Sequence, residues 1–288
     1  MRKWFVRILL GLGVITLLLV GSCVVMSKSL PKGKTGAEAD ALARKVEQAI
    51  NKKAFDQIGA IQWDFGGRHF LVWDKKRSLA WVRWGKGRLS AMISLANPKI
   101  GLAFQDGKPV KDARMRQKMT KRAYSLWAND SFWLNPLAKL FDKGVTRQVV
   151  QWEGKPQLMV TYTSGGVTPG DSYLYILDEN NRPKGWRMWV KIIPIKGVFA
   201  SFTGWKSLEG AQLSTRHKFL VFNLKLTKIK TAATAKKLLG KDAFAPLVKL
   251  LPGYKPAPVV RKSPASKPTP RRKPEERKPT ERRKPATR

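Results

Sequence analysis

Cysteine occurs once, as Cys23, and histidine twice, as His69 and His217, in a chain of 288 residues. A single thiol allows no intrachain disulfide and no cysteine-rich zinc site. Two distant histidines without a matching carboxylate motif do not make a metal centre, and no cofactor is expected. Acidic residues are scarce as well: 19 Asp and Glu stand against 57 Lys and Arg, a formal net charge of +38. No internal repeat of fixed period is visible. The apolar fraction is ordinary at 43%, so the chain as a whole is not disordered.

What is present divides into four stretches. Residues 1–22 open with Arg2, Lys3 and Arg7 and continue with an apolar run from Ile8 through Leu19. Cations before a short apolar stretch are the build of a secretory signal, the charges staying on the cytoplasmic side while the apolar run enters the bilayer. The run ends in Leu19-Val20-Gly21-Ser22-Cys23, which resembles a bacterial lipobox. That resemblance implies cleavage before Cys23 and transfer of diacylglycerol to its thiol, which would tie the protein to a membrane. The alternative is an uncleaved anchor from Ile8 to Met26, about long enough to span a bilayer. Either reading places the bulk of the chain in the cell envelope. Val24 and Val25 follow the cysteine where an inner-membrane retention signal carries Asp. The periplasmic face of the outer membrane is therefore the favoured location, with an inner-membrane anchor as the alternative. Residues 23–36 are expected to serve as lipid anchor and linker.

Residues 255–288 are of another composition. Proline recurs at 256, 258, 264, 268, 270, 274, 279 and 285, and the 13 basic and 3 acidic residues there supply +10 of the net charge. Beyond Tyr254 only Val259 and Val260 are sizeable apolar residues, too few to offset the entropy of ordering the segment. Proline and like-charge repulsion should keep it extended. A basic arm of this kind suits polyanions: anionic lipid headgroups, lipopolysaccharide or acidic cell-wall polymers. Nucleic acid is set aside, because a secreted, lipid-anchored protein rarely meets any.

Residues 37–254 carry the folded domain. Thr35-x-x-Glu38 has the form of a capping box, and Leu42, Val46, Ala49 and Ile50 recur at helical spacing behind it. Strand signals follow over Ala60–Phe65, His69–Trp73, Leu79–Trp84 and Leu89–Leu95, with polar or glycine-rich breaks between them. A helical stretch begins at Asp112 and runs to about Ala128, and the apolar knot Phe132-Trp133-Leu134-Asn135-Pro136-Leu137 comes next. Strands return over Val145–Trp152, Gln157–Thr163, Ser172–Leu177, Gly185–Pro194, Phe199–Trp205 and Gln212–Leu224, and a short helix is expected within Thr231–Leu251. Close-spaced strands interrupted once by helix predict a β-rich α+β fold. The expected form is a strongly curved antiparallel sheet or open barrel of about ten strands, with helices covering its concave side.

The signal, lipobox, first helix and His69-Phe70-Leu71-Val72-Trp73-Asp74 together resemble the bacterial lipoprotein-carrier (LolA/LolB-like) half-barrel proteins. The stretch Asp130-Ser131-Phe132-Trp133-Leu134-Asn135-Pro136 to Lys139-Leu140-Phe141-Asp142-Lys143-Gly144-Val145 is similar to an uncharacterised family of secreted or lipid-anchored bacterial proteins of that fold. So is Thr163 through Tyr173, running on to Tyr175-Ile176-Leu177-Asp178. The resemblance covers about Phe55 to Leu224 and brings no catalytic residues with it; the Pro-rich tail and the high charge depart from the family pattern. It implies binding of a hydrophobic ligand, such as an acyl chain, a lipid or a lipoprotein's lipid moiety, in a curved sheet.

The aromatics fit such a site. Ten of the 11 tryptophans lie between residues 63 and 205. Trp81 and Trp84, and likewise Trp186 and Trp189, are odd-numbered steps apart, so each pair faces opposite sides of a strand. Trp63, Trp73, Trp81, Trp133 and Trp189 are the ligand-facing candidates. Gly165, Gly166 and Asp171, in the glycine-rich loop after Ser164, are candidates for the cavity mouth. Asp64, Asp74 and Asp171 could supply acid–base pairs for a hydrolase of envelope glycans or lipids, but nothing in their spacing singles them out and a turn position explains Asp74; the reading is a binding module and no enzyme. The competing reading is a structural tether that works through the basic tail.

Overall fold

The computed structural model describes residues 25–164 and 168–253, together with Trp4 and Gly21. The rest of the signal sequence, Cys23, Gly165, Gly166 and the basic tail, for which lipidation, cavity-mouth and polyanion roles are expected, lie outside the described residues. Among the described residues no helix is long and apolar enough to cross a membrane.

Fifteen strands and five helices make up the described fold. Helix α1 (Ala37–Ala49) buries Ala39, Ala43 and Val46, a 4-3 spacing that gives one apolar face, against β7 and β8. Its N-cap is Gly36, with no side-chain cap bond, so the expected Thr35–Glu38 box does not form. Helix α2 (Lys52–Gln57) follows, capped by Asn51, whose Oδ1 accepts from the Ala54 amide.

Strands β1 (Ala60–Phe65), β2 (His69–Asp74), β3 (Leu79–Trp84), β4 (Leu89–Ser94), β5 (Gly101–Gln105) and the short β6 (Lys108–Pro109) form an antiparallel meander. Helix α3 (Ala113–Leu134) interrupts it. Asp112 caps the helix by accepting from the Met115 amide at 2.7 Å. The helix runs through Phe132-Trp133-Leu134, further than expected, because Met119, Ala123, Leu126 and Leu134 continue one buried face. It ends at Asn135, which precedes Pro136 and is turned away from helical geometry by the proline ring.

The chain then lays down β7 (Val145–Trp152), β8 (Lys155–Tyr162), β9 (Asp171–Leu177), β10 (Pro183–Trp189) and β11 (Val198–Ser201), a second antiparallel sheet in the order β11-β10-β9-β8-β7. A small hairpin of β12 (Lys206–Leu208) and β13 (Ala211–Leu213) leads into β14 (Arg216–Phe219) and the long β15 (Phe222–Ala232). Strand β15 pairs with β1, Ala60 opposite Ala232, and completes an eight-stranded sheet ordered β14-β15-β1-β2-β3-β4-β5-β6. A bridge between Thr203 and Arg216 joins the two sheets at the β11 and β14 edges. The architecture is thus β-rich, a large curved antiparallel sheet continued by a second, with helices packed on it.

Both faces of the eight-stranded sheet are covered. Helix α3 packs on β3, β4 and β5, and its buried face shares a core with Ile61, Trp63, Leu71, Val82 and Ile93. On the opposite face Val72, Leu79 and Met92 meet Ala235 of α4 (Ala235–Leu239) and Leu247 of α5 (Ala245–Val248). The odd-step tryptophan pairs divide between these faces: Trp84 with the α3 side, Trp81 with the other. Trp186 faces the inner core of the second sheet and Trp189 its outer side.

Residues 27–34, expected to be part of a linker, are docked. Lys34 bridges to Val149 through two backbone bonds of 2.9 and 2.8 Å, and the Lys28 amide bonds to Lys196 O at 2.9 Å. The approach requires Gly33, where a Cβ would lie 2.6 Å from Val149 O. The segment covers an otherwise open edge at β7, which satisfies backbone groups that would face solvent.

Candidate functional site

The C-terminal half of α3 and the inner face of the second sheet enclose a cavity of about 300 Å³. Tyr124, Trp127, Ala128 and Ser131 stand at three- and four-residue intervals on one side of the helix and line it, with Phe132 and Trp133 at the helix end. Opposite them, Tyr162 of β8, Tyr173 of β9 and Trp186 and Met188 of β10 alternate along their strands toward the same face. Met188 pairs with Tyr173 and Trp186 with Tyr175 across β9 and β10, which fixes this register.

The wall is an aromatic box. Trp186 lies 4.6 Å from Tyr173, 5.0 Å from Trp133 in an edge contact and 5.4 Å from Phe132 in a stacked one. Phe132 is in turn 5.2 Å from Tyr162. Burial pushes the phenols of Tyr162 and Tyr173 far above their ordinary range, so both stay neutral and add no charge to the wall. The indole N–H groups of Trp127 and Trp186 have no acceptor among the described residues.

The mouth is polar and charged. Lys139, Asp142, Lys143, Ser164, Thr168 and Asp171 line it, with Ile192 and Ile193 from the loop after β10. Lys139 pairs with Asp142 at 3.0 Å, while Lys143 has no ion-pair partner among the described residues. Asp171 is nearly fully buried; one oxygen accepts from Thr168 Oγ1, the other from the Lys191 amide at 3.0 Å. It therefore clasps the β8–β9 loop to the end of β10. Gly144 takes φ 76, and a Cβ there would collide with Ser164 Oγ, so this close approach beside the mouth requires glycine.

Of the candidates read from the sequence, Trp133 and Asp171 line this cavity. Trp73 stands one ring behind it, 5.4 Å from Trp127 and edge-on, with Phe55 and Lys75 on its other side. Desolvation against those rings lowers the Lys75 ammonium to about 8. Trp63 is fully buried in the core under α3, and Trp81 packs on the opposite sheet face beside Arg83. Trp189 faces outward over Trp152 and donates to Lys28 O at 2.7 Å. These three tryptophans are structural residues, brought together neither with one another nor with the cavity. Tyr162, Tyr173, Trp186, Phe132 and Lys143 belong to the site and were not singled out. Their signal is alternation: 173 and 175, then 186, 188 and 190, mark one strand face, whereas choosing tryptophans by size alone ignores which face they occupy.

The remaining candidate groups have separate occupations. Asp64 Oδ1 accepts from the Gly67 amide in the β1–β2 turn, and Asp74 pairs with Arg77, which reaches on to Asp242. His69 Nδ1 lies 2.8 Å from Oδ2 of the fully buried Asp130, whose other oxygen accepts from Asn129. Burial raises the Asp130 carboxyl, and the His69 contact opposes that rise. Among the described residues no group of three metal-ligating side chains converges.

No family model matches the chain, and no curated protein does. Among solved structures it is similar to a DUF1329 family protein from Desulfovibrio piger, at 9% identity and a TM-score of 0.33, over 67% of this chain and 92% of that one. A likeness of that degree carries no argument about the site, which rests on the geometry alone.

Proposed function

We propose that the protein is a non-enzymatic binding module of the cell envelope that takes an apolar chain with an anionic head into the cavity beside Trp133. The observation that carries this reading is the aromatic wall of Phe132, Trp133, Tyr162, Tyr173 and Trp186 around about 300 Å³, with lysines at the mouth. That volume is at the lower end of small-molecule sites, and holds on the order of ten groups the size of a water molecule. It suits a single acyl chain of medium length. Each buried methylene contributes about 0.8 kcal/mol, and no directional chemistry is required of the wall. Lys143 at the mouth favours a carboxylate or phosphate head. The reading places the ligand with the membrane to which a lipidated Cys23 would hold the chain, most simply the outer membrane facing the periplasm.

The test is titration of the full chain with a solvatochromic fatty-acid probe. Saturable binding is expected, and Trp133→Asp should abolish it, since an unpaired charge on that wall costs several kcal/mol. Absence of saturable binding by long- and medium-chain probes would sink the reading.

A second reading rests on the 13 basic residues after Tyr254. In it the folded domain takes no ligand, and the basic tail tethers the membrane-held chain to anionic lipid headgroups, lipopolysaccharide or an acidic wall polymer. The two are separable, because deleting the tail leaves the cavity intact.

A further inference from the structure

The turn between β14 and β15 is built against local preference. Phe219 pairs with Phe222, leaving Leu220 and Val221 as a two-residue turn. Leu220 takes φ 49, a left-handed conformation that glycine or asparagine adopts readily and leucine does not. Leu220, Val221 and Phe222 are 40%, 91% and 55% exposed, and no other stretch of the described residues exposes three consecutive large apolar side chains. Just behind the tip, Arg216 and Lys225 face each other directly across the ladder, a like-charge pair that weakens a hairpin. Lys218 is exposed on the same strand as Arg216, and none of the three forms an ion pair among the described residues. A strained apolar tip and a collar of unpaired cations are each unfavourable for the isolated fold. An anionic lipid surface answers both, taking the side chains of the tip into its apolar layer and the cations among its phosphates.

We propose that the β14–β15 hairpin is a membrane wedge, with Leu220, Val221 and Phe222 inserting into an anionic lipid surface and Arg216, Lys218 and Lys225 meeting its headgroups. The wedge is backed by the fold: Phe222 stacks on Phe219 at 5.2 Å, and Phe219 on Trp133 at 5.6 Å. The inference holds whatever occupies the cavity.

An environment-sensitive dye on Val221→Cys, in the full chain carrying Cys23→Ser, tests insertion separately from attachment by the tail. Vesicles of phosphatidylglycerol and phosphatidylcholine should shift the emission to the blue and raise it several-fold. The same dye on Lys108→Cys, in β6, should not respond, and pure phosphatidylcholine should give little change at either site. A dye at position 221 that stays solvent-exposed, or responds no more than the one at 108, would overturn the proposal; so would failure of the chain to bind these vesicles, which would point to a protein partner for the tip. Leu220→Gly supplies the second arm. It relieves the left-handed position, so the melting temperature should rise while affinity for the anionic vesicles falls. A higher melting temperature with unchanged vesicle affinity would contradict insertion.

Discussion

Trp133 stacks on Phe219 with ring centroids 5.6 Å apart and planes 21° from parallel. The first ring ends α3 and lines the cavity; the second ends β14 and belongs to the eight-stranded sheet. This contact fixes the position of the cavity wall from behind, because Trp133 is held between Phe219 and Trp186. Phe219→Ala should lower stability by about 2 kcal/mol, less than a fully buried phenylalanine because Phe219 is half-buried. It should also weaken fatty-acid binding without touching the cavity lining. Urea unfolding and probe titration of the same variant measure the two effects.

His217 supplies a pH dependence of known sign. Its ring lies between Trp133 and Phe202, and Nδ1 is 3.2 Å from Ser201 O. Burial pulls its pKa from 6.5 down to about 4. As the pH falls below 6.5 the unfolded chain takes up a proton that the folded chain refuses until about 4. Stability present at neutral pH is therefore lost across that window, by about 3 kcal/mol in full. His217→Asn should shrink the difference in unfolding free energy between pH 7 and pH 4 by an amount of that order, while leaving the carboxylate contributions in place.

Trp189 holds the amino-terminal segment. Its indole donates to Lys28 O at 2.7 Å, and Lys28 Nζ sits 5.8 Å from the Trp152 ring centre. Trp189→Phe keeps the apolar packing and removes the bond, for a loss of about 1 kcal/mol. Amide exchange at Lys28 should accelerate, while the Lys34–Val149 bridge keeps its protection. Unchanged exchange at Lys28 would mean the bond does not hold the segment.

The meander β1–β4 was legible because each strand alternates and each break carries glycine or polar residues, as in Gly66-Gly67 and Gly85-Lys86-Gly87. The parity of Trp81 and Trp84 placed them on opposite faces of that sheet, but it did not say that helices cover both faces. The closure by β15 was not legible. Phe222–Ala232 mixes lysines into its exposed face, and its partner β1 lies more than 150 residues earlier, a pairing that no local pattern encodes. The helix end was misread for a local reason: Phe132-Trp133-Leu134 looks like an aromatic knot until Pro136 is taken as the stop, which extends α3 by two turns. That extension is what carries Phe132 and Trp133 across to the second sheet and makes the cavity.

Removing residues 255–288 should lower affinity for anionic vesicles and flatten its salt dependence, since each cation near the surface contributes about 1 kcal/mol and is screened beyond about 8 Å at physiological salt. Thermal stability and fatty-acid binding should not change. Sedimentation with vesicles at low and high salt measures this, and equal binding by both chains would reduce the tail to a solubilising extension.

The claim that the cavity holds a single apolar chain is tested most directly by calorimetric titration of the full chain with a homologous series of saturated fatty acids. Affinity should rise more than tenfold for every two methylenes added, until the chain reaches about ten carbons and fills the space, and then level off. Ala128→Phe, which occupies part of the cavity from α3, should move the break to shorter chains. Affinity that is independent of chain length, or a break that Ala128→Phe leaves in place, would contradict the account.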